Sequence, residues 1–308
     1  MTPDARPRES PLAVYGAIAA NVAIAVTKFA VALHTGSSAM LSEAVHSTVD
    51  TGNGVLLLWG LHRSHRPPSP LHPFGHGREL YFWSLIVAVL IFGLGGGVSF
   101  YEGVRHLRHP QPPQDPFWNY VVLGAALVFE GGSFAIAWRQ FRKQARHRPL
   151  WAALRLSKDP ATYTVLAEDG AALAGLVIAI GGVAITQALG RPEADAIASM
   201  LIGLLLAGVA VLLVREARGL LVGEGVLPQT VEAILSLATQ HAEIAEAGEV
   251  RSMYLGPDEA LLTLDLRFHA NVGTARAAEV ADALRQSIRA RYPTLVHIHL
   301  GLMAPRSA

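Results

Sequence analysis

The sequence predicts an α-helical membrane protein, six transmembrane helices followed by a small cytoplasmic α+β domain of order αββαβ, and three observations carry that prediction. Of the 308 residues, 51% are hydrophobic and only 16% are charged, where soluble domains carry roughly 25% charged residues. Six apolar segments reach or approach the ~20 residues that a helix needs to cross the hydrocarbon core. Beyond Arg218 those long runs stop and short alternating segments take over.

The six segments are expected at about 12–34, 38–61, 79–106, 117–138, 160–188 and 194–214, forming a six-helix transmembrane domain over 11–222. Ahead of them Met1–Ser10 is polar and Pro-containing, a flexible tail without the pattern of a signal peptide. Arg63, Arg66 and Arg78 crowd the connection between segments 2 and 3, and Arg139, Arg142, Lys143, Arg146, Arg148, Arg155 and Lys158 that between segments 4 and 5. The turns His34-Thr-Gly-Ser and Leu189-Gly-Arg-Pro on the opposite side carry little charge, so the positive-inside rule puts both termini in the cytoplasm. Arg105 and Arg108 are mildly contrary. A multi-pass protein of the cell inner membrane is the expected location.

The domain expected over 223–308 starts with a helix at about 229–240, continues with strands at 250–255 and 260–268 around the turn signal Gly256-Pro257-Asp258, and ends with a helix at 274–291 and a strand at 295–303. Leu262-Thr-Leu-Asp-Leu-Arg-Phe and Val296-His-Ile-His-Leu alternate with period two, as half-buried strands do. A domain of about 85 residues has a limited core, so dimerisation is expected to add stability.

The second segment carries the most informative motif, Ser37-Ser-Ala-Met-Leu-Ser-Glu-Ala-Val-His46-Ser-Thr-Val-Asp50. Residues four apart share a helix face, so His46 and Asp50 project together. Ionisable groups inside a membrane are costly and usually functional, which makes a buried metal-ion site the leading reading and interhelical hydrogen bonding the plainer one. The chain has no cysteine, so any metal must be held by His, Asp or Glu, and Cu(I) is disfavoured. No Gly-x-x-x-x-Gly-Lys-Ser/Thr loop occurs, which excludes a nucleotide-driven pump of the P-loop kind, and no His-Glu-x-x-His motif points to an intramembrane metallohydrolase. A net charge of +1 gives no reason to expect a nucleic-acid partner.

Ser37 to Asp50, His72-Pro-Phe-Gly-His-Gly-Arg-Glu79 and the six-helix-plus-αββαβ order together resemble the cation diffusion facilitator family. Asp159-Pro160 and Leu166-Ala-Glu168-Asp169-Gly-Ala-Ala are similar to the branch that includes the mitochondrial zinc transporter. The resemblance implies a transporter rather than an enzyme, one that exports divalent metal, most often Zn2+ with Mn2+, Fe2+ or Co2+ as alternatives, in exchange for protons, and that works as a homodimer. It implies a transport site between segments 2 and 5, with His46 and Asp50 from the former and Asp169 from the latter. The register that makes Asp169 a ligand leaves Val165 where another ligand is expected, and Glu168 is the nearest substitute. At ~1.5 Å per residue, His46 and Asp50 lie roughly 12 and 18 Å from one end of their segment and Asp169 roughly 14 Å from the opposite end of its own, all near the middle of a ~30 Å core.

Other polar groups are weighed against plainer roles. Glu43 shares the face of His46 and either lines a proton path or pairs with Lys28; Glu130 is balanced between proton handling and interhelical bonding. His72 and His76 flank a turn that is either an accessory metal site or a connector that positions segment 3. His241, His269, His297 and His299 are read as mainly structural, and Gly93-Leu-Gly95-Gly96-Gly97 as a helix-packing surface. A membrane-embedded metal sensor or scaffold without transport is the reading from another class.

Overall fold

The computed structural model describes residues 11–110, 116–144 and 160–303. The expected tail Met1–Ser10, residues 111–115 and the basic connection holding Arg146, His147, Arg148, Arg155, Lys158 and Asp159 lie outside the described residues. The elements are α1 Pro11–Thr35, α2 Ser38–Ser64, α3 Glu79–Arg108, α4 Pro116–Gln144, α5 Pro160–Leu189, α6 Glu193–Val222, α7 Pro228–Thr239, β1 Ile244–Gly256, β2 Glu259–Phe268, α8 Thr274–Arg291 and β3 Leu295–Leu302.

Among the described residues four stretches are long and apolar enough to cross a membrane: Glu79–Arg108, Phe117–Arg139, Tyr163–Leu189 and Glu193–Val222. Helix α1 adds a shorter apolar stretch, Asn21–Thr35, and α2 does not qualify because Glu43, His46, Asp50 and Asn53 interrupt its apolar run. At most 39% of each qualifying stretch is buried within the protein, so Val128, Phe129, Ile136, Val177, Leu204 and Val211 turn outward. Such residues belong inside a water-soluble fold, whereas hydrocarbon accommodates them over this length. The protein is an integral, multi-pass membrane protein.

The chain's contacts divide it into two units, one made of Met1–Trp59, Trp83–Ser157 and Ala161–Arg215, the other of Gly60–Phe82, Lys158–Pro160 and Glu216–Ala308. In the first, α1 passes into α2 through Gly36 at φ 69° and α5 into α6 through Gly190 at φ 64°, left-handed positions that a side chain would strain. The glycine run of α3 winds as a π-helix over Ile91–Gly97. A Cβ on Gly96 would lie 3.0 Å from the carbonyl oxygen of Gly203, and one on Gly203 would lie 2.6 Å from the backbone nitrogen of Phe100. Helices α3 and α6 therefore meet backbone to backbone, the packing role expected of that run.

The second unit is built on a three-stranded sheet of order β1-β2-β3, with β1 antiparallel and β3 parallel to β2. A parallel neighbour needs a crossover, and α8 supplies it. Alternation in β2 points Ala260, Leu262, Leu264 and Leu266 to one face, where Ile234 and Ala238 of α7 and Val280, Leu284 and Ile288 of α8 pack on them. The order αββαβ is thus present. Three boundaries differ from expectation by six residues or more: β1 starts at Ile244, α4 runs on to Gln144 and α6 to Val222. The early part of β1 pairs through register shifts between Ile244 and Glu246 and between Ala247 and Val250, so its side chains do not alternate and no period-two signal announces it. Helix α6 continues past Arg215 because Ala217 and Leu220 bury one face of the added turns.

Candidate functional site

Helix α2 brings its ionisable residues into the first unit because they fall on neighbouring faces at three- and four-residue spacing. His46 Nδ1 stands 3.4 Å from Asp50 Oδ1, with the imidazole almost wholly buried. The expected pair therefore faces the same space, at a distance longer than a good hydrogen bond. Asp50 shares a cavity with Asp169 of α5, Glu130 and Ser133 of α4, Ser47 of α2 and Asn21 of α1. Glu168 points elsewhere: its Oε1 accepts a hydrogen bond of 2.5 Å from Asn53 Nδ2. The adjacent acids of α5 thus do different things, as ~100° of rotation per residue requires.

Several of these polar atoms are buried without a hydrogen-bond partner among the described residues: both ring nitrogens of His46, Asp50 Oδ1, Asp169 Oδ2, Glu130 Oε2 and Glu43 Oε1. Buried polar atoms are seldom left so. One imidazole and carboxylates with free lone pairs suit a cation that accepts N and O ligands. Among the described residues, however, no three or more His, Asp or Glu side chains form a group that could hold a metal ion. The site is a pair plus a facing carboxylate, and an ion would have to draw the groups together.

Glu43 and Glu130 converge on Lys28 of α1. The ammonium donates to Glu43 Oε2 at 3.2 Å, Glu130 Oε1 at 2.9 Å and Ser47 Oγ at 2.8 Å. The pairing of Lys28 with Glu43 is the one considered from sequence; the bond from Lys28 to Glu130 and the bond from Asn53 to Glu168 were not. Asn53, three residues after Asp50 in the same polar stretch, carried a usable signal. Asp195 carried none, since an acid in the first turn of a helix already has a sufficient local reason. Its carboxylate instead crosses to α2, accepting from the Ser37 hydroxyl at 2.7 Å, the Ser38 backbone N–H at 2.6 Å and the Ala39 N–H at 3.3 Å. It caps α2 from another helix, and Ser42 and Ser199 add a contact of 2.6 Å between hydroxyl oxygens beside it.

His72 and His76 belong to the second unit. Their rings are 4.5 Å apart, and Phe74 between them stacks edge-on against His297 of β3 at 5.4 Å. A Cβ on Gly77 would lie 2.5 Å from the carbonyl oxygen of Leu255, so this turn rests directly on the β1 backbone. The structure thus gives the turn a packing role, while His76 Nδ1 stays buried without a hydrogen-bond partner among the described residues.

A family profile for the cation efflux transmembrane domain matches residues 14–222. The proton-coupled zinc antiporter SLC30A9, mitochondrial, of Homo sapiens is 34% identical over 257 residues, covering 83% of this chain and 45% of that protein. Metal tolerance protein C4 of Arabidopsis thaliana is 32% identical over 86% of this chain and 58% of its own length. The cation-efflux pump FieF of Escherichia fergusonii is 26% identical over 91% of both. The chain spans about half the length of the first two relatives. The matched region takes in α2, α5 and the cavity between them, and the chain belongs to the cation efflux family, a family of membrane transporters rather than enzymes.

Proposed function

We propose that the protein is a secondary transporter that exports divalent metal cations, Zn2+ foremost, from the cytoplasm in exchange for protons. The observation that carries this reading is the buried His46 imidazole 3.4 Å from Asp50, which lines a cavity together with Asp169, in a neighbourhood rich in polar atoms without hydrogen-bond partners among the described residues. His46, Asp50 and Asp169 are the proposed metal ligands, with Glu168 recruited only if it leaves Asn53. These groups must lose their protons to bind metal, so competition for one site couples opposite fluxes as the site opens alternately to either side. Glu43 and Glu130 are the proposed proton path. A zinc antiporter among the relatives supports the cargo and the coupling.

The same reading takes α1 to α6 as six spans, 11–222 as the transport domain and 223–308 as a cytoplasmic domain, with a tail at 1–10. It places both termini in the cytoplasm, the protein in the cell inner membrane and two copies in a homodimer; His72 and His76 are a candidate accessory metal site. The manganese efflux system protein MneP of Bacillus subtilis, 24% identical over 92% of this chain, favours Mn2+ as the second cargo to test. The deciding experiment is metal-stimulated proton flux in proteoliposomes across Zn2+, Mn2+, Fe2+ and Co2+. The expected result is a proton flux opposite to the metal and largest with Zn2+; metal uptake without proton movement would remove the coupling, and no uptake of any ion would remove the transport reading.

A further inference from the structure

Lys28 is the one fully buried lysine of the described residues, and its ammonium occupies a position made of three oxygens. Its three N–H donors find Glu43 Oε2, Glu130 Oε1 and Ser47 Oγ, all within 3.2 Å, which exhausts its bonding capacity. An oxygen cage of this kind is what a hard metal cation would also accept. Glu130 belongs to two assemblies at once: one oxygen is held by Lys28, while the residue lines the cavity of Asp50 and Asp169 and its other oxygen has no hydrogen-bond partner among the described residues.

We propose that Lys28 is a specificity-determining residue of the transport site, a tethered internal cation that holds the Glu130 carboxylate off the cargo and so limits the oxygens that the metal meets. This rests on the transport-site reading above. With one oxygen of Glu130 and one of Glu43 bound to the ammonium, each carboxylate offers a metal at most its single remaining oxygen. One imidazole with few carboxylate oxygens is a donor set suited to four-coordinate Zn2+. Without the ammonium, two carboxylates would be left buried without their counter-ion, which is strongly unfavourable. Glu130, the one of the two that lines the cavity, would turn both its oxygens to the nearest other cation, the cargo. Added oxygen donors favour ions that take octahedral oxygen coordination, Mn2+ above all.

The test measures equilibrium binding of Zn2+ and Mn2+ to the full-length protein, with Asp50→Ala in the same assay. Lys28→Met is expected to raise the affinity for Mn2+ relative to Zn2+ by roughly tenfold, the scale on which groups behind metal ligands act. Lys28→Gln, which keeps hydrogen-bonding capacity but no charge, carries the same expectation should the Met variant not fold. The double variant Lys28→Met/Glu130→Ala is expected to return the ratio to that of the wild type, because the freed carboxylate and both its oxygens are gone. An unchanged ratio in the folded single variants, or a shifted ratio that persists in the double variant, overturns the proposal while Asp50→Ala still loses both metals. If Asp50→Ala binds both metals normally, the transport-site reading falls instead.

Discussion

Asp169 and Glu168 are neighbours in sequence with opposite surroundings, and that difference fixes the order of their effects. Asp169 lines the cavity with Asp50 and keeps Oδ2 without a hydrogen-bond partner among the described residues, whereas Glu168 is engaged by Asn53. Asp169→Ala is therefore expected to abolish zinc uptake into vesicles as fully as His46→Ala or Asp50→Ala, and Glu168→Ala to reduce it less. The reverse order would show that α5 presents its acids in a register shifted by one residue. The His46–Asp50 pair was legible in the sequence because four-residue spacing on an apolar helix leaves both groups on one face. The partners of Glu130 and Glu168 were not, since each lies on a different helix and its distance in space has no periodic signature. That Lys28 holds both Glu43 and Glu130 at once follows from how α1, α2 and α4 pack, which composition and spacing leave open.

At the scale of elements, long apolar runs and period-two alternation announced the helices and β2, where local pattern and burial agree. Prediction failed where backbone pairing proceeds without a side-chain pattern, as at the bulged start of β1. The same limit hid the cross-helix cap on α2. Helix N-termini leave backbone donors unsatisfied, and here Asp195 of α6 satisfies those of Ser38 and Ala39 while also holding the hydroxyl groups of Ser37 and Ser38. This ties the start of the helix that carries His46 and Asp50 to α6, beside the local cap in which the Met40 N–H donates to Ser37 Oγ at 3.1 Å. Asp195→Ala is expected to lower stability by about 0.5–2 kcal/mol, the usual cost of losing a cap, and to speed amide hydrogen exchange at residues 38–41 selectively. Exchange that rises evenly along α2, or not at all there, would show that the cap does not secure the helix.

For the whole molecule, the sheet unit supplies the means of testing assembly. Its core, from Ile234 to Ile298, lies entirely within residues 223–308, with the α7 and α8 faces closed over β2. A fragment of those residues is therefore expected to fold, although a domain of about 85 residues has little core to spare and gains from a partner. The opposite face of the sheet carries Thr263, His299 and Arg251, paired across the strands and at least partly exposed. Two-fold pairing presents one such face to its own copy, so the fragment is expected to be dimeric by light scattering at micromolar concentration; a monomer there would count against pairing driven by this domain. Among the described residues His241, His269, His297 and His299 form no group able to hold a metal. Zinc is accordingly expected to leave the fragment's melting temperature nearly unchanged. Saturation of a real site at ~100 times its dissociation constant would instead add about 2.7 kcal/mol, a rise in melting temperature that would reassign these histidines from packing to metal binding.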